Sequence, residues 1–285
     1  MKKNLFLAIA VVLALSSCEK QAINEELQGL EESGKVRITF QVKNSTDART
    51  RATALAASDM TDLWLFDYVD GECAKMIHLT PEDDGWSAPS AVFTIGSHDI
   101  YFVASRGDAA DVDETDGTIV WTIPRDTFLG SLTLNVTGGT SPTQSVELSR
   151  ATMRLKINVN DAVPEDIDRL IITPDIWYFG LNYLTGEAVG EKKEARSVTV
   201  PASYVGTTKK LTASFYGFSG DDEWQTDVEV KAVDADDNVL GQVTLTDAPF
   251  RKNVITEYSG MLFGGQVGMD VTLGDAWGEN DMHTW

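Results

Sequence analysis

Histidine, cysteine and positive charge are scarce in this chain of 285 residues. The three histidines, His78, His98 and His283, lie far apart with no metal-ligand spacing between them, so no metal site is predicted. The sequence contains no HExxH zinc motif, no nucleophile elbow and no phosphate-binding loop. It therefore lacks the common hydrolase and nucleotide-binding signatures, and we expect neither an enzyme nor a cofactor.

The charge balance is strongly acidic, with 44 aspartates and glutamates against 23 lysines and arginines, for a net charge of −21. Such a charge disfavours binding to nucleic acid and direct adsorption to anionic lipid, and it favours solubility at a cell surface. Because carboxylates are so abundant, no particular pair can be singled out as the acid and base of a glycosidase.

Long hydrophobic runs are also missing. The apolar run at residues 5–15 is shorter than the roughly 20 residues that a membrane-spanning helix needs. Two lysines precede it and small residues follow, which is the order of a secretory signal. Residues 15–18, Leu-Ser-Ser-Cys, resemble the bacterial lipobox, in which the cysteine (here Cys18) is acylated and becomes the first residue of the mature protein. The alternative is an ordinary signal peptide with an incidental cysteine.

Lipidation of Cys18 would tether the mature protein durably to a membrane. We therefore expect residues 1–17 to be a signal peptide and the protein to be an outer-membrane lipoprotein exposed at the surface. Cys73 would then be unpaired, which excludes a disulfide and a cysteine metal site. Residues 18–34 are acidic and polar and are predicted to form a flexible leader, which resembles the surface-export signals of Bacteroidetes lipoproteins.

The mature chain of 268 residues, with a net charge of −23 once Lys2 and Lys3 are lost, is long enough for two ordinary domains. Residues 35–43, KVRITFQVK, alternate apolar and polar side chains, which predicts a half-buried strand. Residues 44–58 are small and polar and include two arginines, so they are predicted to be an exposed loop.

Further alternating segments follow along the chain. Residues 62–77 are predicted to form a hairpin whose turn, Asp70–Gly71, takes positive φ angles. Strands are also predicted in HDIYFVAS, SLTLNVT, MRLKINV, LTASFYGF, DVEVKAV, GQVTL, NVITEYSGMLF and VGMDVTL. Helix signals are weak. The sequence therefore predicts an all-β protein of two β-sandwiches, 35–148 and 149–285, with a boundary near 137–149.

Three other features invite a functional interpretation. The acidic segment 111–117 lacks the glycine that an EF-hand loop needs at its sixth place, so a solvated turn is favoured over a calcium site. Cys73 follows a turn and is predicted to be a half-buried hydrophobe rather than a nucleophile. The seven tryptophans could stack on sugars, but most are expected in the cores: Trp64, Trp86, Trp121, Trp177, Trp224, Trp277 and Trp285.

The order of these features resembles the fimbrillins of Bacteroidetes, the subunits of type V pili, including the FimA/Mfa-like and FimB/Mfa2-like groups. The segments that carry the resemblance are LWLFDYVDGE, IGSHDIYFVAS, ELSRATMRLKINV and FRKNVITEYSGMLFG. The resemblance implies two tandem transthyretin-like β-sandwich domains after a lipoprotein signal peptide. It also implies a structural subunit of a fimbria that supports adhesion and assembles with other fimbrial subunits.

In that family an arginine-specific protease cuts the loop after the first strand, and a neighbouring subunit replaces the strand. The resemblance places the cut at Arg51–Ala52, with Arg49–Thr50 second. It implies displacement of the strand that contains Val36, Ile38, Phe40 and Val42. It also suggests a donor strand from the C-terminal region, with the candidates Val267, Met269, Val271, Leu273, Trp277 and Trp285.

Alternatives remain open at this stage. Residues 267–273 could simply be the last strand of the second domain. The chain could be an uncut anchor subunit, or a surface glycan-binding lipoprotein rather than an assembling subunit.

Lipidation has a direct test. Replacing Cys18 with Ala should abolish labelling with a radioactive fatty acid and release the protein from the membrane fraction. Cys73→Ala, which removes the only other thiol, is the matched control and should leave labelling unchanged. Labelling of the Cys18→Ala protein at the normal level would contradict the lipobox.

Overall fold

The computed structural model describes residues 34–45, 53–54, 58–219, 223–264 and 267–274. These residues form three β-sheets. Sheet A contains β1 (Lys35–Ser45), β2 (Thr53–Ala54), β3 (Asp62–Val69), β4 (Glu72–Leu79), β5 (Ser90–Thr94), β6 (Gly96–Ser105), β9 (Thr127–Val136) and β10 (Thr143–Arg150). Sheet B contains β7 (Asp111–Asp113), β8 (Thr118–Val120), β11 (Thr152–Val159), β13 (Trp177–Asn182), β14 (Ala188–Lys192), β16 (Leu211–Phe218), β19 (Ile255–Met261) and β20 (Gly268–Leu273). Sheet C contains β12 (Arg169–Pro174), β15 (Arg196–Thr199), β17 (Trp224–Val233) and β18 (Val239–Phe250).

The protein is all-β and is built from β-sandwich units, which confirms the predicted fold class. No helix in the described ranges is long and apolar enough to cross a membrane. Every segment predicted as a strand forms one. The hairpin turn is also confirmed, since Asp70 and Gly71 have φ angles of 52° and 85°.

The first core lies within sheet A, whose strand order is β2-β1-β10-β9-β6-β3-β4, with β5 paired to β1. Side chains from β1, β5 and β10 pack there with side chains from β3, β6 and β9. Strand β3 is buried on both faces. Leu63 and Leu65 enter the first core, whereas Trp64, Phe66 and Tyr68 point to the other face.

The second core lies between sheets B and C. Sheet B has the order β20-β19-β11-β16-β13-β8-β7, and sheet C has the order β15-β12-β17-β18. Strand β11 contributes four fully buried side chains, Met153, Leu155, Ile157 and Val159. They pack with residues of β12, β17 and β18, so this core is a two-sheet sandwich.

An aromatic cluster joins the two units. It combines Trp64, Phe66 and Tyr68 of β3 with Trp121 and Tyr183 from the sheet B side. Phe66 stacks on Tyr183 with ring centroids 4.0 Å apart, and the hydroxyls of Tyr68 and Tyr183 are 2.9 Å apart. Burial is the main cause that raises the pKa of both phenols, so both remain protonated.

The hairpin β7–β8 does not belong to the sheet that the predicted boundary at residue 148 would give it. It lies within the range expected for the first sandwich, yet β8 pairs with β13 of sheet B through Gly180↔Val120 to Asn182↔Thr118. A Cβ atom on Gly180 would lie 2.3 Å from the carbonyl oxygen of Ile119, so glycine permits this close approach. Strand β10 covers most of 137–149, and the chain passes from sheet A to sheet B at Ala151.

A buried ion pair holds this junction. The Arg150 guanidinium donates to both carboxylate oxygens of Asp126, at 2.7 and 3.0 Å, and these side chains are 1% and 0% exposed. Thr152 donates to Asp126 at 3.2 Å, and Arg150 donates to the Asn253 side chain at 3.2 Å. The pair therefore links the start of β9, the β10–β11 junction and the turn between β18 and β19.

Breaking this pair should be costly, because it leaves a buried guanidinium without its carboxylate. We expect Asp126→Asn to lower the free energy of unfolding by about 3–5 kcal/mol in urea denaturation. Asp175→Asn is the matched control, since it breaks an exposed pair with Lys193 and should change stability little. Equal effects of the two substitutions would show that the junction does not depend on the buried pair.

Candidate functional site

Strand β1 is held at both of its edges by different neighbours. Its first half pairs antiparallel with β5, from Lys35↔Thr94 to Thr39↔Ser90. Its second half pairs parallel with β10, from Thr39↔Thr143 to Ser45↔Ser149. The two pairings lie on opposite edges of β1 and overlap at Thr39. The Thr39 amide donates to the Pro142 carbonyl, just before β10, and the Phe40 amide donates to the Pro89 carbonyl, just before β5. The strand therefore depends on contacts with distant parts of the chain.

The inward face of β1 forms part of the first core. Ile38 and Phe40 are fully buried and Val42 is 5% exposed, whereas Val36 is half-buried. The Phe40 ring meets Phe93 edge-on at 5.9 Å between centroids and Phe102 at 5.1 Å. Loss of β1 would therefore uncover both of these rings.

The end of β1 contains a buried polar side chain. Asn44 is 3% exposed, and among the described residues its side-chain amide has no hydrogen-bond partner. An unsatisfied buried amide costs free energy, so this end of β1 is less well stabilised than its apolar middle.

Strand β20 is the edge strand of sheet B. It pairs antiparallel with β19, from Thr256↔Leu273 to Met261↔Gly268. Met269 packs against the second core, but its apolar neighbours remain exposed at 43%, 47% and 41% for Val267, Val271 and Leu273. Residues 268–273 are thus a strand of the second unit that keeps most of its apolar face accessible.

Several predicted site residues lie outside the described residues. They are Cys18, Arg49, Arg51, Ala52, Trp277 and Trp285. Their predicted roles in lipidation, processing and strand donation stay predictions.

The tryptophans that the structure describes belong to cores and clusters. Trp64, Trp86, Trp121 and Trp177 are at most 7% exposed. Trp224 is half-buried, and its ring lies 6.3 Å from that of Trp177. These five rings therefore do not form an exposed platform for sugar stacking.

The histidines on β4 and β6 are each accounted for by local contacts. His98 is buried, with Nδ1 2.7 Å from Asp67. His78 lies 2.8 Å from Asp62 and stacks on Trp64. Asp108 brings a third potential ligand within 4.8 Å of the Asp62 and His78 ligand atoms, although two of these three residues are exposed.

The acidic segment 111–117 contains the turn that joins β7 to β8. The Asp113 carboxylate accepts hydrogen bonds from the amides of Thr115 and Asp116 at 2.9 and 3.0 Å. Gly117 closes the turn with a φ of 69°. The predicted acidic turn is confirmed.

Cys73 is half-buried on β4, as predicted. Its thiol lies 3.5 Å from the Lys75 carbonyl, and burial raises its pKa above the ordinary value. The thiolate is therefore disfavoured at neutral pH, which fits a structural role.

Two groups of residues were not found from the sequence. One is the Arg150–Asp126 pair, although Arg150 lies in one of the segments that carry the fimbrillin resemblance. The other is a cleft lined by Arg125 and Arg196. No local pattern marks either group, because their members are brought together only by the fold.

Comparison with protein families gives one match, which covers residues 111–284 and is described as a family of unknown function, DUF6562. The chain belongs to this family. The match begins at β7, the first strand of the chain that joins sheet B. A search of curated proteins found no match.

Solved structures with the same fold include proteins of Bacteroides species. A candidate polysaccharide-binding protein of Bacteroides thetaiotaomicron (DUF1812) has a TM-score of 0.55 and 11% identity, covering 86% of this chain and 99% of that one. A candidate adhesin of Bacteroides ovatus has a TM-score of 0.54 and 10% identity, covering 85% and 94%. A second Bacteroides ovatus candidate adhesin has a TM-score of 0.53 and 12% identity, covering 76% and 84%. At this identity the likeness shows a shared fold.

The contribution of β1 to the first core can be measured. Phe40→Ala should lower the free energy of unfolding by about 3–5 kcal/mol, because it removes a fully buried ring from between Phe93 and Phe102. Leu273→Ala on β20, where the side chain is 41% exposed, is the control and should cost less than about 1 kcal/mol. Urea denaturation followed by tryptophan fluorescence measures both. An unaffected Phe40→Ala protein would mean that β1 contributes little to the core.

Proposed function

We propose that the protein is a structural, non-enzymatic subunit of a cell-surface fimbria, exported as a lipoprotein and assembled by strand replacement, and that it supports adhesion. The observation that carries this proposal is the position of β1. The strand fills one side of the first core, yet the chain leaves it through the arginine-containing segment 46–52. Cleavage in that segment would disconnect β1 from the rest of the first unit.

The size of the vacated groove supports the proposal. Fully burying each apolar side chain is worth about 1.5–3 kcal/mol, so Ile38, Phe40 and Val42 together contribute about 5–9 kcal/mol. That amount is comparable to the whole stability of a domain. A cut subunit without β1 would also expose unpaired edges on β5 and β10, which are templates for a strand from another chain.

Strand β20 has the pattern that such a donor requires. Val267, Met269, Val271 and Leu273 repeat at every second residue, as do the four apolar residues of β1. The exposure of three of these side chains leaves an apolar face available for another core. We therefore favour β20 as the donor strand in the polymer, where it would place this face in the groove of a neighbouring subunit.

The surface location rests on two further observations. The lipobox resemblance at Cys18 indicates an exported, lipid-anchored protein. The fold is shared over most of the chain with candidate adhesins of Bacteroides. Together they favour a cell-surface adhesion role over an intracellular one.

Replacing both Arg49 and Arg51 with Ala should abolish filaments while leaving a folded, lipid-bound monomer, because β1 would then remain connected to its own core. Electron microscopy of sheared surface material and immunoblotting measure the two outcomes. Arg251→Ala, which removes an exposed arginine outside the segment, is the control and should assemble normally.

The N-terminal sequence of the sheared protein distinguishes the remaining possibilities. A start at Ala52 or Thr50 would support processing, whereas an acylated Cys18 would identify an anchor subunit. Normal filaments from the arginine double mutant would refute strand replacement of β1.

A further inference from the structure

A cleft opens on the second sandwich, away from β1. Its volume is about 350 Å³, within the range of small-molecule sites. It lies between β15 of sheet C and β16 of sheet B, and residues 123–125 of the segment between β8 and β9 close one side. Arg125 and Arg196 line it together with Ser214 and Tyr216.

Arg196 is fixed in position but incompletely paired. Its guanidinium carbon lies 4.7 Å from the centroid of the Phe179 ring, and its side chain is 14% exposed. Among the described residues its Nη2 atom is buried and has no hydrogen-bond partner, since the Glu194 carboxylate is 3.9 Å away. Buried charges are normally paired, so this guanidinium keeps one N–H donor group unsatisfied at the edge of the cleft.

A second positive charge, that of Arg125, acts on Arg196. Burial lowers the pKa of the Arg196 guanidinium; the Glu194 carboxylate opposes that shift and the charge of Arg125 adds to it. Two cations near one another in a partly dehydrated cleft repel each other. An anion placed between them would relieve this repulsion.

The wall of the cleft at Tyr216 is also rich in cations. The charged groups that act on the buried Tyr216 phenol are one carboxylate, Asp126, and three guanidiniums, those of Arg106, Arg150 and Arg154. Burial is the main cause that raises the Tyr216 pKa, so its hydroxyl keeps its proton. Arg125 and Arg196 line the cleft itself, whereas Arg150 is paired with Asp126 and Arg106 with Asp59. The two guanidiniums that line the cleft attract small anions to it.

We propose that this cleft binds a small ligand through a carboxylate, with Arg196 and Arg125 as the two cationic contacts. Guanidinium groups match a carboxylate with paired hydrogen bonds. Ile123 is 48% exposed at the cleft, and the half-buried Phe215 also lines it, so an apolar or ring-shaped body can pack there. Acidic sugars and simple organic acids share this chemistry. The inference is independent of strand replacement.

Isothermal titration calorimetry of the purified protein with glucuronate, acetate and glucose tests the proposal. We expect saturable binding of glucuronate and none of glucose, which has the same ring without the carboxylate. Arg196→Gln should weaken binding at least tenfold, and Arg125→Gln several-fold, because each removes charged donors. Arg251→Gln, which neutralises an exposed arginine paired with Glu223, is the matched control and should bind as the unmodified protein does.

The other outcomes are equally decisive. Acetate binding as tightly as glucuronate would assign the site to simple organic acids, and much weaker acetate binding would assign it to acidic sugars. Binding of glucose equal to that of glucuronate, or no saturable binding of either acid, would overturn the proposal. Circular dichroism checks the fold of each variant, and Arg125→Gln, at a half-buried position outside the strands, provides the answer should Arg196→Gln fail to fold.

Discussion

The buried pair between Arg150 and Asp126 is the contact on which the arrangement of the two units depends. One carboxylate and one guanidinium, both almost completely excluded from solvent, bind at the point where the chain leaves sheet A and enters sheet B. Through Asn253, whose φ is 59°, the same guanidinium reaches the turn before β19. Burying two charges is favourable only if their hydrogen bonds are made, so this pair specifies one geometry for all the connected segments.

Each unit pairs a strand near its start in parallel with a strand near its end. Strand β1 pairs with β10 and β11 pairs with β19, across about a hundred residues in each case. The difference lies in the second edge. Strand β11 has β16 as a continuous antiparallel partner along its length, whereas β1 pairs antiparallel with β5 only from Lys35 to Thr39 and then with the two-residue strand β2 at Lys43 and Asn44. The first unit therefore has the more easily separated strand, and it is also the unit whose first strand is followed by the arginine-containing segment.

Charge is distributed unevenly over this acidic molecule. The overall charge of −21 keeps the surface repulsive to other anions, yet half of the arginines lie around the cleft and the junction. Part of this concentration is structural, since Arg150 holds the junction and Arg154 contacts Ser214 and the Tyr216 ring. Arg125 and Arg196 line the cleft itself, so two positive charges lie there on a chain whose net charge is negative. A cationic cleft on an anionic protein can select small anions while excluding large polyanions.

Local chemistry alone determined the strands and tight turns of this protein. Period-two alternation marks β1, β11 and β20 because side chains on a strand point alternately to a core and to solvent. Asp70–Gly71 marks a hairpin because these residues tolerate positive φ. The sequence also identified which residues of β1 face inward. The pattern of a strand does not specify which strand it pairs with, however. The tertiary structure therefore decided that β7–β8 joins sheet B and that β1 pairs with both β5 and β10. The same holds for the Arg150–Asp126 pair and for the arginines of the cleft, because their members are distant in the chain and meet only when the sheets pack.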